Sequence, residues 1–213
     1  MTRDEVRGRR PRDVLRDDVL FGVYSPSGRL PITFYQSVDS LPPYLNMSMT
    51  GLPYGRTLRY FTGPAPIYRF GEGISYSRFQ LTSPAASATG LSICEALSVS
   101  VNVSNAGALD GDTVVQVYTR LRDVPGARTT PLLSLSGFER VSLEVGETRT
   151  LSFPLSPRAF AVVDAETRAW VAFPVDVDIF VGEQSPAPED WARAITLSVE
   201  GTAVPLDACG VPY

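Results

Sequence analysis

Leu97-Ser-Val-Ser-Val-Asn-Val-Ser104 decides the fold. Apolar and polar residues alternate along all of it, sending Leu97, Val99, Val101 and Val103 to one face and Ser98, Ser100, Asn102 and Ser104 to the other. That period belongs to an extended strand with one side buried and one in water. Asn105-Ala-Gly107 and Asp110-Gly111 supply the turn that follows. Outward from there, residues 113–121 read as a second strand and 132–138 as a third. Residues 140–145 read as a fourth, stopped by Gly146-Glu147, and Thr148–Leu155 as a fifth. Residues 160–164 and 170–173 are expected to pair across the turn between them. Val175, Val177, Ile179 and Val181 alternate again, and residues 194–199 close the set. Roughly eight or nine short strands in about 110 residues, with turns at even spacing, describe an all-β, immunoglobulin-like antiparallel sandwich. No cysteine pair is placed to bridge two sheets as in antibodies, so a fibronectin type III-like version fits better.

Upstream the pattern changes. Val14, Leu15, Val19, Leu20 and Phe21 keep helical spacing up to Gly22, a C-terminal stop. Ser25-Pro-Ser-Gly28 is a turn, and Leu30, Ile32 and Phe34 alternate as in a strand. One helix and one strand cannot bury a core between them, so residues 1–34 read as the remnant of a larger α/β domain. Their apolar side chains are expected to stay largely exposed, or to dock on the loop at residues 54–79. Residues 35–91 form a long connection rich in Gly, Pro and aromatics, among them Tyr44, Tyr54, Tyr68, Phe70 and Tyr76. It ends in small polar residues 83–90, a linker by composition. The sandwich is assigned to residues 92–201, and 202–213 to a C-terminal tail.

Composition excludes several chemistries. The 213 residues include no His, which removes the usual general base and the Ser-His and Cys-His pairs. There is no Lys either, hence no Schiff-base or phosphate-loop lysine. A net charge of -4 argues against a nucleic-acid partner. No apolar run reaches the roughly 18 residues of a membrane span. Residues 1–16 carry six Arg without an apolar stretch, so they are no secretory signal. A solvated arm is the plain reading, with a nuclear-targeting run at residues 7–12 the lesser one. Cys94 and Cys209 are too few for a disulfide framework and wrongly spaced for zinc. A bond between them stays open, since the roughly ten residues after the last strand can span about 30 Å. Asn46-Met-Ser48 and Asn102-Val-Ser104 are candidate N-glycosylation triplets.

Carboxylates are the catalysts that remain. Asp176 and Asp178 sit two apart on one strand, about 7 Å, near the spacing of a glycosidase pair. The better reading is the solvent-facing half of an alternating strand, with no pocket to keep either acid protonated. Asp110-Gly-Asp112 is a turn before it is a calcium site. Arg56, Arg59, Tyr60 and Phe61 combine guanidinium forks with rings, which suits a domain interface first and a sugar site second. No catalytic residue, metal site or cofactor is assigned.

Several stretches resemble a known family. Residues 18–34, Asp-Val-Leu-Phe-Gly-Val-Tyr-Ser-Pro-Ser-Gly-Arg-Leu-Pro-Ile-Thr-Phe, resemble the closing helix and strand of the second domain of family 3 glycoside hydrolases. Tyr54-Gly-Arg-Thr-Leu-Arg-Tyr-Phe-Thr-Gly63 and Tyr68-Arg-Phe-Gly-Glu-Gly-Ile-Ser-Tyr76 are similar to their interdomain connection. Val101-Asn-Val-Ser-Asn-Ala-Gly107, Gly111-Asp-Thr-Val-Val-Gln-Val-Tyr118 and Leu135-Ser-Gly-Phe-Glu-Arg-Val141 resemble their C-terminal fibronectin-like domain. The form at Arg56 to Phe61 is more similar to the β-xylosidase and α-arabinofuranosidase branch than to the β-glucosidases. Leu58, Glu72 and an inserted Leu52-Pro-Tyr54 depart from the family pattern.

The resemblance implies a non-catalytic C-terminal portion of an exo-acting enzyme that hydrolyses O-glycosidic bonds in plant-type polysaccharide fragments. In the family the nucleophilic Asp lies on an N-terminal barrel and the acid/base Glu in the second domain, upstream of the segment matching Asp18. Neither is carried over to a position here. The expected partners are the catalytic domains, in cis or in trans, and then carbohydrate. The parent enzyme is expected outside the cell or in the secretory pathway. A truncated gene model, a split gene and a degenerate copy each fit a chain that starts in mid-domain. The rivals are a free-standing carbohydrate-binding module, with Tyr118, Trp170 and Phe180 as its rings, and an adhesion-type structural module.

Overall fold

The computed structural model describes residues 17–51, 53–125, 130–164 and 166–211. Within them the alternating strands close into a sandwich of two facing sheets. A three-stranded sheet has the order β1-β3-β6, from β1 (Phe79–Ala86), β3 (Leu97–Asn105) and β6 (Thr148–Leu155). The five-stranded sheet runs β2-β10-β9-β4-β5, from β2 (Gly90–Ser92), β4 (Gly111–Leu121), β5 (Ser134–Leu143), β9 (Asp176–Gly182) and β10 (Ile195–Glu200). All its neighbours are antiparallel except β2 and β10, which pair in parallel. A small third sheet, β11-β8-β7, sits at one end, from β7 (Ala161–Val163), β8 (Trp170–Ala172) and β11 (Val204–Pro205).

The alternation sets the core. Leu97, Val99, Val101 and Val103 of β3 are buried against Val115 and Val117 of β4, Val177 and Ile179 of β9, and Leu151, Phe153 and Leu155 of β6. Each such side chain contributes about 1.5–3 kcal/mol on leaving water. The opposite face of the three-stranded sheet carries hydroxyls and amides. There Ser98 and Ser152 share a hydrogen bond of 2.9 Å, and Thr150 Oγ1 donates to Asn102 Oδ1 at 2.7 Å.

Four expectations need correction. Residues 83–90 are no linker: Ser83 to Ala86 belong to β1, which pairs along β3 with a register shift between Thr82 and Ala85. The expected third and fourth strands are one strand, β5. Val117 faces Gly137 and Tyr118 faces Leu135, so Ser136 is an extra, bulged residue that interrupts the alternation. The stretch assigned to a C-terminal tail carries structure over residues 204–209, where β11 adds to β8 and Leu206 is fully buried beneath it. Leu30, Ile32 and Phe34 form no strand; only an isolated bridge joins Phe34 to Tyr68.

That segment docks on the connection by its backbone. Leu30 N–H donates to the Glu72 carbonyl at 2.9 Å, Gly71 N–H to that of Leu30 at 2.8 Å, and Phe34 N–H to that of Tyr68 at 2.9 Å. Ile32 and Phe34 remain exposed, as do Leu20 and Phe21 at the end of the single helical turn α1 (Asp17–Leu20). Val14 and Leu15, read as part of this helix, lie outside the described residues. Cys94 and Cys209 are joined in a disulfide with Cα atoms 5.0 Å apart. It ties the turn between β2 and β3 to the 3-10 turn Leu206–Cys209.

Candidate functional site at the junction of connection and sandwich

The connection lies against the outer face of the five-stranded sheet. Leu132 N–H donates to the Arg59 carbonyl at 2.7 Å and Ser185 N–H to the Phe70 carbonyl at 2.9 Å. Gln116, on β4, donates through Nε2 to the carbonyls of Glu183, 2.6 Å, and Gly71, 3.3 Å. Gly71 has φ +81°, and a Cβ there would stand 2.3 Å from Gln116 Oε1, so only glycine permits this approach. Upstream, Arg29 Nη2 donates to Thr113 Oγ1 and to Glu183 Oε1, both at 2.8 Å. Arg29 Nε and Nη1 are buried without a partner.

The four residues singled out in sequence do not form one site. Arg56 Nη2 donates to the Asn46 carbonyl at 2.8 Å and so clamps the loop that carries Tyr44, Leu45 and Met47 into solvent. Arg59 and Tyr60 end the single helical turn α2 (Thr57–Tyr60), with the Arg59 guanidinium 6.0 Å from the Tyr60 ring. Phe61 meets Tyr35 and Tyr54 edge-on, at 4.7 and 6.2 Å between centroids. It also lines a groove of about 440 Å³ with Leu58, Arg69, Arg120, Leu133 and Trp191. Arg59 faces a different cavity, beside Arg158 and Trp170. Of the glycosylation candidates, Asn46 Oδ1 accepts from Ser48 N–H at 3.0 Å, whereas Asn102 lies mid-strand beside Thr150.

The reading of Asp178 as solvent-facing is wrong. Its carboxylate has no exposed surface and receives hydrogen bonds from Arg120, Arg122 and Thr196 at 2.6 to 3.0 Å. Arg120 in turn lies 4.0 Å over the Trp191 ring. The outward face of β9 is thus roofed by long side chains from β4 and by the 3-10 turn Pro188–Arg193. Burial by itself would raise the Asp178 carboxyl, but the bonds from Arg122, Arg120 and Thr196 outweigh it and hold the group below the usual carboxylate range. Asp176 points outward and accepts from Ser198 Oγ at 2.6 Å. Held ionised by two arginines, Asp178 is no acid catalyst for its neighbour.

Asp178→Ala is expected to lower stability by about 3 kcal/mol, because it strands two guanidinium groups arranged around one buried charge. Asp112→Ala, at the partly exposed pair with Arg140, is expected to cost under about 1 kcal/mol. Urea unfolding of the two variants measures the difference. The Asp178 contribution is present above the unfolded carboxyl value near pH 4 and fades as pH falls through the lower folded value. A gap between wild type and Asp178→Ala that closes below pH 4 is the expected signature.

Tyr118, Trp170 and Phe180 form no row of exposed rings. Tyr118 is fully buried, its phenol pushed up by burial and bonded to Gln116. Phe180 packs 6.2 Å from Trp191, and Trp170 lies under Arg158.

The chain has the two parts of a known arrangement, each matched separately. Residues 16–76 match the profile described as the glycosyl hydrolase family 3 C-terminal domain, and residues 113–185 that of the fibronectin type III-like domain. The chain belongs to glycoside hydrolase family 3. It holds that family's C-terminal region. The periplasmic β-glucosidase of Salmonella typhimurium is 37% identical over 175 residues, covering 79% of this chain and 22% of that protein. The xylan 1,4-β-xylosidase of Xylanibacter ruminicola is 36% identical over 182 residues, covering 84% and 20%. This family 3 chain therefore spans about a fifth of the length of such relatives. Among solved structures, the β-glucosidase of Listeria innocua in complex with glucose superposes with a TM-score of 0.69 at 31% identity, over 87% of this chain and 26% of that one. The family 3 β-glucosidase of Bifidobacterium adolescentis gives 0.70 at 27% identity, over 85% and 27%. Relatives of the glucosidase and xylosidase kinds match at nearly equal identity.

Proposed function

We propose that this chain is the non-catalytic C-terminal portion of an exo-acting family 3 glycosidase, of the β-xylosidase kind, and that it braces the catalytic domains. One observation carries the reading: residues 20–76 display a concentration of exposed apolar side chains beside a closed sandwich. Phe21 is 83% exposed, and Tyr44 and Leu45 are each 87% exposed. Leu20, Ile32, Phe34, Met47, Ile67 and Ile74 extend the surface. So many large apolar groups on one segment mark a face that another protein surface covers. The match of this same segment to the family 3 C-terminal domain supports the catalytic domains as the occupant. The Arg-Thr-Xaa-Arg-Tyr-Phe form at Arg56 to Phe61 favours the xylosidase branch.

The 213-residue chain alone is expected to hydrolyse no aryl xyloside, arabinoside or glucoside. Added to the Xylanibacter ruminicola xylosidase stripped of its own C-terminal region, it is expected to raise that protein's melting temperature and aryl-xyloside turnover. The double variant Ile32→Asp, Phe34→Asp should lose both effects while its sandwich unfolds as in wild type. Turnover by the chain alone, or an equal effect from the double variant, defeats the reading.

A further inference from the structure

We propose that the cavity between Arg59, Arg158 and Trp170 binds a carboxylate-bearing saccharide, through chemistry independent of the bracing role. The cavity measures about 350 Å³, room for one sugar ring at the small end of the roughly 300–1,000 Å³ usual for such sites. Its walls converge from four places: α2 brings Arg59, β5 brings Ser134 and Ser136, residues 156–159 bring Ser156 and Arg158, and β8 brings Trp170. Among the described residues no Asp or Glu lines it. Among the described residues neither guanidinium is in an ion pair, although most arginines of the sandwich are. Two positive charges therefore face one small cavity without a counter-charge.

The geometry suits a carboxylate. Arg158 Cζ stands 4.9 Å over the Trp170 ring, so cation–π attraction holds the guanidinium against the indole. A guanidinium held by its face keeps its N–H edge for a planar, bidentate acceptor. The hydroxyls suit the rest of a sugar. Ser136 is the bulged residue of β5, turned out of the ladder at the cavity wall. Thr119 Oγ1 donates to the Ala159 carbonyl at 3.3 Å and shares a 2.7 Å bond with Ser136 Oγ. With the Thr119 proton spent on Ala159, the Ser136 proton goes to Thr119. Ser136 then offers lone pairs to a donor, such as a sugar hydroxyl. An uncharged sugar would leave both guanidinium groups without a counter-charge, and a bare small anion would leave the hydroxyls idle.

The test titrates the full 213-residue chain with glucuronate, glucose and acetate, read by the indole NMR signals. Trp191, which lines a different groove, serves as the internal reference. Glucuronate is expected to move the Trp170 signal saturably and to bind at least about tenfold more tightly than glucose or acetate. Arg59→Ala and Arg158→Ala should each weaken glucuronate about tenfold or more with the melting temperature kept, and Arg78→Ala, at the edge of a different cavity, should change nothing. Arg158→Lys keeps the charge and packing but loses the fork, and it too should bind more weakly. Acetate binding as well as glucuronate would reduce the site to a general anion pocket, such as one for a protein carboxylate, and overturn the proposal. Equal binding of glucose, no saturable shift, or wild-type affinity in both Arg158 variants would overturn it as well.

Discussion

Val101→Asp is expected to abolish the folded sandwich, leaving no cooperative transition in a thermal or urea melt followed by circular dichroism. Val101 is 1% exposed at the centre of β3, opposite Leu151 of β6 and packed against the second sheet. The substitution loses about 1.5–3 kcal/mol of burial and places a carboxylate among the apolar side chains of the core. A penalty of several kcal/mol more for the buried charge is comparable to the whole net stability of a domain, about 5–15 kcal/mol. Ser100→Asp, one residue earlier, is the control. Its side chain faces outward between Ala85 and Ser152 with no acid opposite, and its effect is expected within about 0.5 kcal/mol. Similar losses in both variants would mean that β3 does not hold the register described.

The second large effect is expected at the disulfide. Cys94 and Cys209 are 115 residues apart, so the bond closes nearly the whole sandwich into one loop. Loop-closure entropy for about 100 residues corresponds to roughly 4–5 kcal/mol, within the range of about 2–5 found on removing native bonds from small domains. The double variant Cys94→Ser, Cys209→Ser should therefore fall by about 4 kcal/mol in urea unfolding. Wild type under a strong reductant should fall by the same amount, and the variant should not respond to it. The first region to loosen should be β11 with the turn beneath it, where Leu206 sits with no exposed surface. An unchanged midpoint would show that the packing of Leu206 alone secures this end of the molecule.

Where one side of a strand is wet and the other dry, its residues declare it. That is why β3, β6 and the apolar half of β9 are readable from their alternation, and why the turn at Gly146-Glu147 is placed correctly between β5 and β6. The edge strand β1 gives no such pattern. Ser83, at φ +51°, and the register shift beside it break its period, and its small residues mimic a linker. Ser136 hides the unity of β5 in the same way. Asp178 is a different failure: an alternation rule assumes that the second face is open, and only the fold brings Arg120, Arg122 and Trp191 over it. The Arg59 cavity is likewise unreadable along the chain, because Arg59 and Arg158 are about a hundred residues apart and meet through topology alone. The Arg56-to-Phe61 stretch could be flagged as functional by its residue types, but not divided among three environments.

The family 3 segment, residues 16–76, is stitched to the sandwich at Arg29 to Glu183, Gly71 to Gln116, Phe70 to Ser185 and Arg59 to Leu132. Spaced along some forty residues, these four ties make it a splint and not a tether. A tether would let the sandwich swing as a separate bead, whereas a splint must carry any push on its outer end as a rotation of the whole body. Whatever grips the apolar residues near Phe34 and Tyr44 therefore sets the direction in which the Trp170 end of the sandwich points.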